Sequence, residues 1–232
     1  MNISVITPTY NEQGNIGKLI AYLKKHGGNN LLEIIVSDGG SKDATVNEAE
    51  NAGALAIVSP EKGRAAQMNY GASLATSEVL YFVHADTIPP PSFIEDIQKS
   101  VYEGYDLGRY LSTYDSPRWL LKLNAILSRL DTFGGMGGDQ TLFITKKLFK
   151  ETGGFDVSMK IMEEFEFCAR ARKCAKYKII NKPVLISARK YDTNSWLTIQ
   201  KANYTIVKMY QNGASQDSMV SKYKEMLNYR QS

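Results

Sequence analysis

The sequence of 232 residues has little of several features that mark specialised classes of protein. It contains only two cysteines, Cys168 and Cys174, which lie in one predicted helix where a disulfide between them is geometrically unfavourable. We therefore expect free thiols and a reducing compartment. No apolar run approaches the about 18 residues of a membrane span, and the strand-like start at Ile3 lacks the features of a signal peptide. These absences predict a cytoplasmic protein, with contact to the inner face of a membrane left open.

Charge of one sign is also scarce. The formal net charge is +4, and the basic residues are spread along the chain, so no nucleic-acid partner is predicted. Two nucleotide-binding motifs are missing as well, because no strand is followed by G-x-G-x-x-G and no G-x-x-x-x-G-K-[ST] occurs. These absences argue against a dehydrogenase and a P-loop phosphohydrolase. The length and the 43% hydrophobic content fit one globular domain.

Short β-branched runs alternate with helical patterns through the first half of the chain. Strands are predicted near residues 3–7, 33–37, 54–59 and 79–83, and helices near residues 15–25, 43–52 and 64–75. This alternation indicates a mostly parallel sheet covered by helices. Ser92 and Glu95 follow three prolines and predict a capping box that opens a helix to about residue 103.

The second half combines strands and helices and then becomes purely helical. A helix is predicted from Ser116-Pro117 through residue 130, a strand near residues 141–145, a helix near residues 163–175 and a short strand around residues 184–187. Beyond residue 194, apolar residues at helical spacing on both sides of Gly213 predict a helical hairpin. We expect the hairpin to expose Trp196, Tyr204 and Tyr210 among lysines, for contact with a membrane surface or a second copy.

Polar residues follow three strands of the predicted sheet. Pro8-Thr9-Tyr10-Asn11-Glu12 follows the first strand, Asp38-Gly39-Gly40-Ser41 the second and His84-Ala85-Asp86 the fourth. Each could be an ordinary turn or helix cap. Ligands bind at the carboxyl ends of parallel strands, so three such segments at one edge favour a site that offers carboxylates to a base, a ribose or a metal.

Six segments together resemble the motifs of family 2 glycosyltransferases with the GT-A fold. Residues 8–12 resemble P-x-[YF]-N-E, residues 36–45 resemble V-D-[DG]-G-S-x-D-x-T, residues 63–69 resemble G-R-A-x-Q-x-N, residues 138–140 and 153–155 resemble acceptor-side blocks, and Met162-Glu163-Glu164 stands where the family has M-E-D. His84-Ala85-Asp86 is similar to the metal motif of a bacterial subgroup that reads H-A-D. The order and spacing of the segments are specific, and the resemblance covers nearly the whole chain.

The resemblance implies an α/β GT-A fold with a mostly parallel central sheet flanked by helices and a C-terminal helical hairpin. One glycosyltransferase domain is expected over residues 1–232. Residues 1–112 would form its nucleotide-sugar-binding half, residues 113–190 its acceptor and catalytic half, and residues 191–232 the hairpin. The implied enzyme is hexosyltransferase-like and inverting.

The resemblance also implies a donor pocket. Its expected residues are Pro8, Thr9 and Tyr10 along the base, Glu12 and Asp38 at the base and ribose, and Arg64, Asn69, Ala85 and Asp86 elsewhere in the pocket. Asp86 would bind Mg²⁺ or Mn²⁺, because such hard cations take oxygen ligands and often only one or two carboxylates. His84 and Arg189 are candidates for diphosphate binding, although His84 could simply pack at the strand end and Arg189 could be a solvated turn residue.

Glu164 matches the catalytic base that removes the proton from an acceptor hydroxyl. It replaces the usual aspartate and is one methylene longer. Asp139, Gln140 and Glu163 would lie on the acceptor side. The adjacent glutamates could instead serve the positive end of the following helix.

The expected partners are a nucleotide-diphosphate sugar and a lipid or small-molecule acceptor. Two other functions stay open. The changed positions His84 and Glu164 would suit a non-catalytic nucleotide-sugar-binding protein. A sugar nucleotidyltransferase would need a Gly-rich basic loop after the first strand, and residues 8–12 do not provide one.

Overall fold

A computed structural model describes residues 1–129 and 141–227. The first half alternates strands and helices: β1 (Ile3–Thr9), α1 (Ile16–Gly27), a 3-10 turn (Gly28–Asn30), β2 (Leu31–Asp38), α2 (Thr45–Asn51), β3 (Leu55–Val58), α3 (Arg64–Leu74), β4 (Val79–Phe82), β5 (Thr87–Ile88) and α4 (Phe93–Tyr102). The second half contains β6 (Leu107–Tyr114), α5 (Trp119–Leu127), β7 (Leu142–Thr145), α6 (Lys146–Glu151), α7 (Glu163–Ala171), β8 (Tyr177–Ile186), α8 (Lys190–Thr193), α9 (Trp196–Gln211) and α10 (Gln216–Met226).

The strands form one sheet in the order β3-β2-β1-β4-β7-β6-β8-β5. β2 is parallel to β3 and β1, β1 is parallel to β4, and β6 is parallel to β8. β7 runs antiparallel between β4 and β6, and β5 runs antiparallel to β8. The predicted α/β fold with a mostly parallel sheet is therefore confirmed. The boundary expected at residue 112 lies within β6.

Side chains of alternate residues enter two cores on opposite faces of the sheet, as the two-residue period of a strand requires. Ile3 and Val5 of β1 pack in the cluster that contains α1, α2 and α4, whereas Ile6 packs in the cluster that contains α3, α6 and α7. The helices thus cover both faces and bring the carboxyl ends of β1, β2 and β4 to one edge of the sheet.

The first four predicted strands and first three predicted helices are present, but the second half differs from prediction. β8 is a ten-residue strand, longer than the short strand expected around residues 184–187. The sequence also failed to predict β6, in which Gly108 and Arg109 interrupt the apolar pattern. A Cβ atom at Gly108 would lie 2.3 Å from the carbonyl oxygen of Lys178, so the close pairing of β6 with β8 requires glycine there.

Two local predictions were wrong. Ser92 precedes α4, but its side chain makes no capping bond to the helix backbone. Its hydroxyl donates to Asp96 Oδ2 at 2.8 Å and accepts from Lys182 Nζ at 2.7 Å. In the α9–α10 hairpin only Tyr204 of the three named aromatics is exposed. Trp196 donates its indole N–H to Asn124 on α5, and Tyr210 packs beside the cluster between α7 and the hairpin.

Among the described residues, no helix combines the length and the apolar composition needed to cross a bilayer. Both cysteines are free, as predicted, with Cys168 buried and Cys174 exposed.

Candidate functional site

A cleft of about 250 Å³ lies at the carboxyl ends of β1 and β4. Nine of its lining residues were predicted for the donor pocket or the diphosphate: Pro8, Thr9, Tyr10, Glu12, Arg64, His84, Ala85, Asp86 and Arg189. The parallel pairing of β1 with β2 and β4 brings these turns to one edge, since equivalent ends of parallel strands lie side by side.

Asp38 lies at the end of β2 and is fully buried. Its Oδ1 accepts from the backbone N–H groups of Gly40 and Ser41 at 2.8 and 2.7 Å. Its Oδ2 accepts from the hydroxyls of Thr9 and Ser41 at 2.9 and 2.5 Å. Asp38 is not one of the described residues that line the cleft. It instead fixes the turn after β2 to the end of β1.

Arg189 joins two carboxylates of the cleft. Its Nη1 and Nη2 donate to Glu12 Oε2 and Oε1 at 2.8 and 2.7 Å, and its Nη2 also lies 2.8 Å from Asp86 Oδ2. The Asn15 side-chain amide donates to Glu12 at 2.9 Å. A planar guanidinium fork suits this two-point contact with a carboxylate. The segment after β8 therefore closes the cleft over residues from β1 and β4.

The two glutamates that begin α7 contact residues of the donor half. Glu163 Oε1 lies 3.3 Å from Arg64 Nη1, and Glu164 Oε1 lies 3.2 Å from His84 Nε2. Glu164 is buried, and its Oε2 has no hydrogen-bond partner within residues 1–129 and 141–227. Met162, just before them, adopts a left-handed backbone conformation with φ of 69°, which is uncommon for a residue other than glycine. This turn directs both glutamates towards the donor half.

Burial and charge shift the pKa values of the His84–Glu164 pair. Burial raises the pKa of Glu164 above its ordinary value, and the nearby positive charge of His84 offsets only part of the rise. Burial lowers the pKa of His84, but the charge of Glu164 and its hydrogen bond outweigh burial and raise the pKa overall. A carboxylate with a raised pKa takes up a proton more readily than an ordinary carboxylate, which suits a general base.

The residues of the cleft fit a divalent cation only in part. Within the described part of the chain, no group of three or more His, Cys, Asp or Glu side chains is arranged to hold a metal ion. Mg²⁺ and Mn²⁺ accept one or two carboxylates when phosphate oxygens and water complete the coordination. Asp86 fits as a single oxygen ligand of that kind. Arg189 contacts the same carboxylate at Oδ2.

Four predicted site residues that the structure describes do not line the cleft: Asp38, Asn69, Glu163 and Glu164. The Asn69 side chain donates to Phe155 O at 2.8 Å and accepts from Phe155 N at 2.9 Å, which ties α3 to the turn before α7. Asp139 and Gln140 lie outside the described residues. Glu163 and Glu164 do not line the cleft directly and reach it through Arg64 and His84.

The cleft also contains residues that were not predicted: Gln67, Ile186, Ser187, Lys190 and Tyr223. Gln67 belongs to the segment of residues 63–69 noted in the sequence, and its amide donates to Thr9 O at 2.6 Å and Ser37 O at 2.9 Å. That segment was the available signal for Gln67. Tyr223 lies on α10 at the spacing of core residues, so its sequence pattern offered no signal.

Comparison with known proteins agrees with this architecture. Glucosyl-3-phosphoglycerate synthase from Mycolicibacterium smegmatis is 31% identical over 101 residues, which cover 40% of this chain and 33% of that protein. Dolichol-phosphate mannosyltransferase from Pyrococcus furiosus is 28% identical over 127 residues, which cover 51% of this chain and 36% of that protein. The aligned part thus spans about a third of the length of each curated relative.

A solved structure and a family model extend the comparison. Glucosyl-3-phosphoglycerate synthase from Mycobacterium tuberculosis, crystallised with Mn²⁺, UDP-glucose and phosphoglyceric acid, superposes with a TM-score of 0.56 at 20% identity. The superposition covers 78% of this chain and 70% of that chain and confirms the predicted fold. The model described as Glycosyl transferase family 2 matches residues 4–157, more than half of the 232 residues. The chain therefore belongs to glycosyl transferase family 2.

Proposed function

We propose that this protein is an inverting glycosyltransferase that moves a sugar from a nucleotide-diphosphate donor to a hydroxyl acceptor. One observation carries the proposal: Glu12, Asp86, Arg64 and Arg189 line a single cleft at the carboxyl ends of parallel strands. Carboxylates bind ribose hydroxyls and hard cations, and guanidinium groups bind phosphate oxygens. The UDP-glucose bound in the Mycobacterium tuberculosis enzyme supports a donor of this class.

On the donor side, the turn at Pro8, Thr9 and Tyr10 borders the base, and Glu12 binds the ribose. Asp38 acts indirectly by holding Thr9 and the turn after β2 in place. Arg64 and Arg189 face the diphosphate. Mg²⁺ or Mn²⁺ held by Asp86 would neutralise charge that develops on the leaving diphosphate. The Mn²⁺ in the Mycobacterium tuberculosis enzyme supports such an ion.

On the acceptor side, Glu164 takes the proton of the acceptor hydroxyl. The acceptor oxygen forms a bond to the anomeric carbon while the bond from that carbon to the diphosphate breaks, and the electron pair leaves with the nucleoside diphosphate. A single displacement of this kind inverts the configuration at the anomeric carbon. The support for Glu164 is its buried carboxyl with a raised pKa and its contact with His84 at the cleft.

The proposed acceptor is a hydroxyl of a lipid or a small molecule. The names of the two curated relatives contain one compound of each kind, dolichol phosphate and phosphoglycerate. The placement of Asp139 and Gln140 on the acceptor side stays a prediction. The cytoplasmic location and a contact of the α9–α10 hairpin with a membrane surface or a second copy also stay predictions.

The proposal is tested by isothermal titration of the protein with UDP, GDP and other nucleoside diphosphates, with and without Mn²⁺. We expect one of them to bind, more tightly with Mn²⁺. Asp86→Ala should lose the Mn²⁺ dependence, whereas Asp217→Ala should keep it, because Asp217 lies in an exposed pair with Lys160. Binding of no nucleoside diphosphate would overturn the proposal. Binding of the matching sugar donor without transfer or hydrolysis would favour a non-catalytic nucleotide-sugar-binding protein.

A further inference from the structure

Arg189 is placed where it affects both donor-side carboxylates of the cleft at once. Its guanidinium makes two hydrogen bonds to Glu12 and one ion pair to Asp86, all between 2.7 and 2.8 Å. The side chains of Glu12 and Asp86 are 6% and 20% exposed, so solvent screens these attractions only in part. Arg189 thus forms an ion pair with each of the two carboxylates.

The contact uses one of the two carboxylate oxygens through which Asp86 could bind a metal ion. A hard cation on Asp86 takes its carboxylate as an oxygen ligand, and Arg189 already lies 2.8 Å from Oδ2 of that group. Like charges repel at short distance, so a guanidinium and a divalent cation on one carboxylate oppose each other. The diphosphate of a donor supplies the other partner that a guanidinium prefers.

The backbone around Arg189 is fixed, so only its side chain has to move. Ser187 N donates to Asp86 O at 3.0 Å, and Arg189 N donates to Ser187 Oγ at 3.3 Å. The Arg189 side chain itself is 29% exposed and points into an open cleft. A rotation of this long side chain would exchange its partners without any change in the sheet.

We propose that Arg189 competes with the divalent cation for Asp86, and that the donor diphosphate relieves this competition by taking the guanidinium from both Asp86 and Glu12. The inference rests on the proposed function and adds that the binding of the cation and the binding of the nucleotide depend on each other. The cation alone binds weakly against Arg189, whereas cation and nucleotide each strengthen the binding of the other. Such reciprocity is required whenever two ligands are coupled through one protein group.

The competition is tested with Arg189→Gln, which removes the charge, and Arg189→Lys, which keeps the charge without the planar fork. Mn²⁺ alone is titrated and followed by the electron paramagnetic resonance signal of the free ion. UDP and GDP are titrated calorimetrically at saturating Mn²⁺. Lys147→Gln serves as the control, because it removes a positive charge from an exposed ion pair with Glu151 on α6.

We expect the two affinities of Arg189→Gln to change in opposite directions. Mn²⁺ alone should bind about tenfold tighter, or about 1.4 kcal/mol, whereas the nucleotide should bind about tenfold weaker. Arg189→Lys should lie between the wild type and Arg189→Gln in both measurements, and it provides the test if Arg189→Gln does not fold. Lys147→Gln should match the wild type.

Two different results would overturn the competition and the proposed function separately. Unchanged or weaker Mn²⁺ binding in a folded Arg189 variant, with nucleotide binding to the wild type intact, would overturn the competition alone. If the wild type binds neither UDP, GDP nor any other nucleoside diphosphate with Mn²⁺, the proposed function is overturned. Circular dichroism melting curves of each variant separate these results from a loss of folding.

Discussion

The carboxylates at this sheet edge are held in two different ways. Asp38 is held by neutral donors, two backbone N–H groups and two hydroxyls, and three of the four come from its own turn. Glu12, Asp86 and Glu164 are held by cationic or protonatable side chains that come from distant segments. The first arrangement is set by the path of the backbone, whereas the second depends on side chains that can change partners.

This difference separates residues that support the structure from residues that bind ligand or take part in the reaction. A carboxylate fixed by backbone donors keeps its position whatever binds nearby, which suits a residue that shapes a loop. A carboxylate paired with a side-chain cation can release that cation to a phosphate or exchange a proton with it. We therefore expect substitutions in the first group to lower stability and substitutions in the second group to lower activity or ligand binding.

The largest effect is expected for Glu164→Gln, which keeps the size of the side chain but removes its capacity to accept a proton. Transfer should fall about 10²- to 10⁴-fold, the range for loss of a general base, while nucleotide affinity stays close to that of the wild type. Steady-state kinetics and calorimetry measure the two quantities. Glu166→Gln is the matched control on the same helix, because Glu166 pairs with Arg170. Full transfer by Glu164→Gln would place the base elsewhere.

Asp38→Ala should have the next largest effect, on stability. The substitution leaves two backbone N–H groups and two hydroxyls without their buried acceptor. Such losses cost on the order of 3 kcal/mol of the free energy of unfolding. Urea unfolding followed by circular dichroism measures this change. An unchanged unfolding midpoint would contradict the structural role assigned to Asp38.

Asn69→Ala distinguishes support from donor binding for a residue that was predicted in the pocket. Its amide makes two hydrogen bonds with the backbone of Phe155. Their loss should lower the free energy of unfolding by about 1–3 kcal/mol, with nucleotide affinity unchanged. Unfolding and calorimetric titration are needed on the same variant. A large loss of nucleotide affinity at unchanged stability would show that Asn69 takes part in donor binding.

The smallest expected effect is the pH dependence of stability from the His84–Glu164 pair. The pKa of Glu164 is raised from 4.5 and that of His84 from 6.5, so between about pH 4.5 and the raised pKa of His84 the folded protein binds more protons than the unfolded chain. The free energy of unfolding therefore falls as the pH rises through this window.

Thermal unfolding at a series of pH values measures this dependence. The double variant with His84→Gln and Glu164→Gln should have a flatter profile, because both titrating groups are removed. A profile as steep as that of the wild type would assign the pH dependence to other groups.

The parallel part of the fold and its polar strand ends were predictable because their signals are local. Each β-branched run is followed within a few positions by its own polar turn, at residues 8–12 and at residues 84–86. β6 was not predictable, because Gly108 is required by the close approach of β8 and the buried Arg109 donates to the backbone of Ser128, 19 positions away. The pair of Glu12 with Arg189 joins residues 177 positions apart, a separation at which no periodicity in the sequence gives a signal.

The position of β8 has a consequence for the order in which the protein folds. The short strand β5 begins just after Asp86 and pairs with β8 at Leu185 and Ile186, and Ser187 bonds the backbone of Asp86 itself. Contacts between residues so distant in sequence form slowly, and the N-terminal part of a chain emerges first during synthesis. A nascent chain can assemble β1 to β4 long before residue 189 leaves the ribosome. The two carboxylates of the cleft thus gain their counter-ion only after β8 and the segment up to Arg189 have been made.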